Sequence, residues 1–368
     1  LLLVLNAAKH YATIRLTCEN RFCTIFNLAS SEETFVYQYI SKAIVKVHLE
    51  NVLLERVDKK VLEEYPPFVE CADVQNSCAM KVMSVPMNVS CLRIVDTGLS
   101  KLEFEERCKL SRLYVEKSKL SSIPRTIRNA RSLTFIEITE TNVRYLNLAT
   151  FCDHALLQCM VLKRNRIRYV LNGAARSCPL YDALTFLKLS ENRLKSLNLM
   201  MFDRFSRMHF LDFSHNRLAS VNTGTLTLPT VERFQLSNNR LTGIAFCTWM
   251  LPGVSSLMLR NNALTSVPPC MQSWTNITFL SLAVNKLSQF SIDSIANMDN
   301  LLELNLASNR LESVRLSGGQ FPSSLQRLDI SANLLHQLDL SFVPVRSLTV
   351  EVGGNDITGF DINSTCVN

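Results

Sequence analysis

The sequence predicts an α/β solenoid: a horseshoe of about fourteen short repeats with a parallel β-sheet on its concave face. Three observations carry that expectation. Nine asparagines (Asn165, Asn192, Asn216, Asn239, Asn262, Asn285, Asn309, Asn333 and Asn355) recur at spacings of 22 to 27 residues. Each stands in the same apolar frame, clearest in Leu184, Leu187, Leu189, Asn192 and Leu194 and again in Leu301, Leu304, Leu306, Asn309 and Leu311. Within the frame, apolar positions alternate with polar ones for one short stretch, which is the period of a strand with one buried face.

The frame is L-x-x-L-x-L-x-x-N-x-L, the signature of a leucine-rich repeat. Its fourth and sixth positions, such as Leu187 and Leu189, point into the core from the strand. The asparagine follows where the chain turns out of the strand, and its amide can satisfy backbone groups that the turn leaves unpaired. Stacked asparagines should form a ladder. No unit buries its apolar face alone, so neighbours stack into a continuous core.

Taken in order, residues 1–8 open on Leu1, Leu2, Leu3, Val4 and Leu5 before Ala7 and Ala8. They read as the remnant of a secretory signal peptide with a small-residue cleavage site; a short apolar cap strand is the other reading. Residues 9–43 are expected to form an N-terminal cap, 44–358 the repeats, and 359–368 the start of a C-terminal cap or tail. The early repeats follow the frame loosely, with Val52, Ser77, Thr97, Ser118 and Thr141 in the asparagine place. Between residues 69 and 79 the best register uses Val69, Ala72, Val74, Ser77 and Ala79, because sliding it back by one would bury Asp73.

Twelve cysteines and three sequons point to an oxidising compartment. Cys247 and Cys270 occupy one place in adjacent repeats, and Cys152 and Cys178 nearly so. Stacking brings such positions within disulfide range. Cys18 and Cys23 flank a short apolar stretch, as in a cap, and Cys71 and Cys91 fall on neighbouring strands at one frame position. Cys78 and Cys108 are further candidates, while Cys159 and Cys366 have no obvious mate. Asn88, Asn276 and Asn363 head the sequons, the first two on turns where a glycan could project. The expected product is a secreted, extracellular, disulfide-bonded glycoprotein.

Catalytic patterns are missing. The six histidines do not cluster, and no zinc-protease, nucleophile-elbow or phosphate-loop motif is present. No enzyme activity, cofactor or metal is expected. No apolar run is long enough to span a membrane, and the mild net charge of +7 shows no nucleic-acid patch. An elongated repeat is by default a binding scaffold, an inference from fold alone.

The frame also places the partner-facing side chains. Phe135, Phe186 and Phe210 share its third position on nearby strands, with Tyr114, Val161 and Lys188 at the fifth. Exposed aromatics there suggest an interface; cross-strand stacking without a partner is the alternative. Lys163, Arg164, Arg166 and Arg168 form a basic cluster that could flank the patch.

These S-x-N-R-L cores, the small cysteine cap, the sequons and the secretory start resemble extracellular animal leucine-rich repeat proteins. The likeness covers about residues 40–358. Such proteins include Toll-like receptor ectodomains and, closer in their divergent early repeats, the secreted leucine-rich immune proteins of mosquitoes. The resemblance implies a role in innate immunity and a protein partner, either complement-like or another leucine-rich repeat chain. It also implies a disulfide-linked dimer, for which Cys366 is the available residue. Two other readings fit the repeats: an extracellular adhesion, matrix or receptor-ectodomain protein, and an intracellular scaffold.

Overall fold

The computed structural model describes residues 2–5, 13–174, 177–222, 224–316, 321–340, 343 and 347–361. The chain divides into two compact units, residues 1–186 and 187–368, and each is a stack of leucine-rich repeats.

The first unit opens with a hairpin of Ile14–Glu19 and Phe22–Phe26, onto which Leu2–Leu5 adds antiparallel. Residues 6–12 lie outside the described residues. A 3-10 segment, Ser31–Tyr39, closes the cap; Ser30 and Glu33 cap its first turn reciprocally. Phe22–Phe26 then runs parallel to Lys46–Glu50. From there six strands stack in parallel: Lys46–Glu50, Ala72–Ser77, Cys91–Thr97, Arg112–Glu116, Phe135–Thr139 and Cys159–Val161. The second unit stacks seven: Phe210–Asp212, Arg233–Gln235, Ser256–Met258, Phe279–Ser281, Glu303–Asn305, Arg327–Asp329 and Thr349–Glu351. With Phe186–Lys188 at the junction these are fourteen strands among the described residues, one for each repeat read from the sequence.

Burial follows the frame. Leu113, Val115, Ile136, Ile138, Leu304 and Leu306 are fully buried, while their strand neighbours Tyr114, Glu137 and Asn305 are partly exposed. The other side of each stack is built from short parallel strand pairs, such as Tyr145–Asn147 with Tyr169–Leu171, and from 3-10 turns. Among the described residues the one α-helix is Lys59–Glu63. Repeats this short leave room for a turn but seldom for a helix. The second unit fills the space behind its sheet with rings: Phe213, Phe234, Trp249, Phe246 and Trp274 contact in sequence at centroid separations of 4.4 to 6.3 Å.

The asparagine ladder is present, and its geometry is specific. At Asn309, Nδ2 donates to Leu306 O (2.8 Å) within its own repeat and to Leu282 O (3.0 Å) in the preceding one. Its Oδ1 accepts from Leu287 N (3.1 Å) of that preceding repeat. Asn216, Asn262, Asn285 and Asn333 repeat the same three bonds. Each amide therefore holds its own turn and ties it to the repeat before. The residue just ahead of each asparagine takes the left-handed conformation: Glu191, His215, Asn238, Asn261, Val284, Ser308 and Ala332 have φ between 50° and 57°. That step ends the strand and aims the amide inward. Non-glycine residues rarely adopt it, and a β-branched one least of all.

Hydroxyls do this work in the early repeats. Ser77 Oγ accepts from Val52 N (2.9 Å) and donates to Gln75 O (2.6 Å). Thr97 and Ser118 join through their hydroxyls at 2.8 Å. Val52, which has no polar group to offer, lends only its backbone N–H. The register expected between 69 and 79 needs one correction: Met80, not Ala79, turns into the core. Met80 is fully buried and Ala79 is exposed. The turn after Ser77 takes one extra residue, closed by Met80 N donating to Ser77 O (3.2 Å), and the larger side chain fills the space.

Among the described residues four disulfides staple the repeats and cap. Cys18–Cys23 spans the hairpin, Cys71–Cys91 joins adjacent strands of the concave sheet, and Cys152–Cys178 and Cys247–Cys270 join adjacent repeats, at Cα separations of 4.1, 4.5, 5.0 and 4.9 Å. Cys78 and Cys108 do not meet: Cys78 is an exposed thiol, and Cys108 is buried beside Pro86 O. Cys366 and Asn363 lie outside the described residues.

Candidate protein-binding face

In the first unit the register sets Arg112, Phe135 and Cys159 in one row across the concave sheet, and Arg93, Tyr114, Glu137 and Val161 in the next. Tyr114 and Phe135 sit diagonally and touch, with ring centroids 5.1 Å apart and planes tilted by 35°. Both are partly exposed, as are Val161, Lys163 and Phe186. Phe186 lies beside Cys159, since its N–H donates to Gln158 O (3.0 Å). The Cys159 thiol is pushed up to about 11, chiefly by burial and then by the Glu137 carboxylate, so it stays a protonated, unreactive group.

In the second unit Phe210 is partly exposed, with the Arg233 guanidinium 5.8 Å above its ring. Lys188 stands 3.5 Å from the carboxylate of Asp212, which is itself only 2% exposed. Asp212 also accepts from the N–H (2.9 Å) and hydroxyl (2.6 Å) of Ser214. Lys188 thus neutralises a buried charge, a task the sequence pattern does not suggest.

A concavity on the first unit's sheet lies beside the aromatic pair. A cavity of about 490 Å³ is lined by Lys46, His48, Asp73, Arg93, Arg112 and Tyr114, with the Cys71–Cys91 disulfide in its floor. His48 Nε2 stands 3.2 Å from Asp73 Oδ2, and its ring packs perpendicular to that of Phe22 with centroids 4.5 Å apart. Burial holds the imidazole below its ordinary pKa; the Asp73 carboxylate opposes that shift, and Arg93 and Lys46 reinforce it. Asp73 is buried although it faces the concave side, because His48 and Gln75 (3.0 Å) supply its partners. Arg112 pairs with Glu70. The sequence carried a usable signal for this site: His48, Asp73 and Arg93 share the fifth frame position in successive repeats, so they must be cross-strand neighbours.

This face offers an aromatic anchor beside a polar hollow with charges of both signs, which suits a protein surface. Among the described residues no cluster of histidine, cysteine and carboxylate side chains could hold a metal ion. No described helix is long and apolar enough to cross a membrane. Asn88 and Asn276 are both exposed.

No protein-family model and no curated protein matches the chain. Solved structures do. The mosquito LRIM1/APL1C complex is similar at 16% identity and a TM-score of 0.65, over 92% of this chain and 59% of that one. YopM from Yersinia enterocolitica is similar at 18% identity and a TM-score of 0.60, over 89% and 64%. The leucine-rich repeat protein LIC12759 of Leptospira interrogans follows at 20% and 0.57, over 86% and 80%. The chain therefore spans less than two thirds of the mosquito and Yersinia chains. At these identities the likeness establishes one thing, that the fold is that of a leucine-rich repeat protein.

Proposed function

We propose that this chain is an extracellular leucine-rich repeat scaffold that holds a protein partner on its concave face and serves innate immune recognition. The observation that carries the reading is the partly exposed Tyr114–Phe135 pair beside the 490 Å³ hollow. Aromatic groups at the edge of a polar concavity are the usual anchors of protein interfaces. Four disulfides support an oxidising compartment, and exposed sequon asparagines suit a secreted glycoprotein. The immune role rests on the resemblance to the mosquito proteins, whose LRIM1 and APL1C occur together as a complex. A second leucine-rich repeat chain is accordingly the first partner to test, and a complement-like protein the next.

The experiment is a comparison of affinities. The disulfide-intact chain is used to isolate its partner from native extracellular fluid, and binding is then measured by calorimetry. Tyr114→Ala with Phe135→Ala should weaken it at least about tenfold, since truncating an aromatic anchor typically costs 2 kcal/mol or more, and should leave the melting temperature within a few degrees. Unchanged affinity in a folded double variant removes the concave face from the account.

A further inference from the structure

The basic run from Lys163 to Arg168 does not stay together in space. Lys163 is partly buried, and Arg164 is held by Glu140 at 3.0 Å. Arg166 and Arg168 are exposed, and the stacking adds a third cation from the repeat before: Arg168 N donates to Arg144 O and Arg166 N to Val143 O, both at 2.9 Å. Among the described residues the guanidinium groups of Arg144, Arg166 and Arg168 have no ion pair and no side-chain hydrogen bond.

Next to them stands an aromatic platform. Tyr145 and Tyr169 are register partners on the outer strand pair, stacked at 5.9 Å with planes within 11°. They are 39% and 50% exposed, and Leu171 beside Tyr169 is 47% exposed. The Cys152–Cys178 disulfide follows these strands and ties together the same two repeats. Two neighbouring repeats are thus locked side by side, presenting three free arginines and two stacked tyrosines.

We propose that this outer surface is a second binding site, distinct from the concave face, and that it takes a sulfated polysaccharide. Arg144 and Arg168 lie on adjacent repeats, about 4.8 Å apart at the backbone, so an extended chain with closely spaced anionic groups can meet both and Arg166 at once. Each guanidinium fork matches a sulfate or carboxylate with two parallel hydrogen bonds. Sugar rings present apolar C–H faces that the exposed tyrosines can cover while the phenol hydroxyls stay wet. An acidic protein segment would satisfy the arginines but makes less use of a flat two-ring platform. Nucleic acid is the polyanion of another compartment than the one four disulfides indicate.

The test is affinity for a size-defined heparin oligosaccharide, measured with the folded, oxidised chain across a salt series. Arg144→Ala with Arg166→Ala and Arg168→Ala should lower affinity at least about tenfold at 0.15 M salt and flatten the slope of log K against log salt by about two, as three contacts to anionic groups of the polyelectrolyte are lost. Arg217→Ala with Arg240→Ala and Arg310→Ala removes the same charge from exposed arginines of the other unit and should change affinity less than about twofold. Tyr145→Ala with Tyr169→Ala should weaken binding several-fold without altering the salt slope. Single Arg168→Gln serves should the triple variant fold poorly, and should cost about threefold or more. Equal losses from the two arginine triples reduce the effect to net charge and overturn the proposal. So does binding of poly-glutamate or of duplex DNA as tight as that of the sulfated chain.

Discussion

Replacing Asn309 by leucine deletes one rung of the ladder while keeping the branched side-chain shape and its heavy-atom count. The magnitude follows from what each lost bond leaves behind. Leu287 N has Asn309 Oδ1 as its partner at 3.1 Å, and Leu287 is fully buried, so its N–H becomes an orphan. A buried unpaired donor costs about 1–3 kcal/mol. The two carbonyls fare better. Leu282 O keeps Asn285 Nδ2 (2.9 Å) and Leu306 O keeps Asn333 Nδ2 (3.1 Å), so their loss is limited to about 0.5–1.5 kcal/mol for each bond. The total is about 2–6 kcal/mol. The assay is denaturant unfolding of the oxidised chain, followed by ring fluorescence of Trp249 and Trp274, which lie in the same unit. Hydrogen exchange at the Leu287 amide supplies the local reading. An unchanged midpoint together with unchanged protection at Leu287 would refute the ladder as a source of stability. Asn355→Leu is the internal comparison: its bonds are only partly buried, so it should cost less.

Three further outcomes follow from the same reasoning. Ser77→Ala leaves the buried Val52 N–H without its acceptor and should cost about 1–3 kcal/mol in unfolding experiments; a neutral result removes the hydroxyl from the ladder. Val284 holds a β-branched side chain at φ 53°, a strain of about 1–3 kcal/mol, so Val284→Asn should raise the unfolding midpoint, and a drop contradicts the strain. His154 is fully buried, donates from Nε2 to Ile127 O (3.1 Å), and is held below its ordinary pKa chiefly by burial. The unfolded chain takes up a proton near pH 6.5 that the folded one resists, so this contribution is complete above about pH 6.5 and is lost as the pH falls below it. His154→Gln should flatten the acid side of the stability curve, and an unaltered slope assigns the acid sensitivity elsewhere.

The strand frame was legible because burial enforces it. An inward residue that slips by one place exposes an apolar side chain and buries a polar one, so Leu187, Leu304 and their counterparts recur, with Val350 and Val352 of the last repeat only partly buried. The asparagines were legible for a related reason: no other side chain both donates twice and accepts once at that distance. Cysteine pairing across neighbouring repeats was readable from shared register. The left-handed residue before each asparagine left only a partial trace: His215, Asn238, Asn261 and Gly354 suit that conformation, but Glu191, Val284 and Ala332 do not, and there the ladder on either side imposes it. Met80 was missed because an added turn residue breaks the count. Lys188 read as a free contact, yet it serves Asp212, and that pairing depends on how two adjacent strands present their side chains. The basic run misled in the same way, since stacking replaced two of its members with Arg144.

The most direct test of concave-face binding is side-chain footprinting by hydroxyl radicals, with and without the isolated partner. Tyr114 and Phe135 line the first unit's inner sheet, and Tyr145 and Tyr169 stand exposed on its outer strands, so four rings of one unit report on both sides in a single digest. Partner binding should suppress oxidation of Tyr114 and Phe135 at least several-fold and leave Tyr145 and Tyr169 unchanged. Protection of the outer tyrosines with none at Tyr114 and Phe135 would contradict concave-face binding.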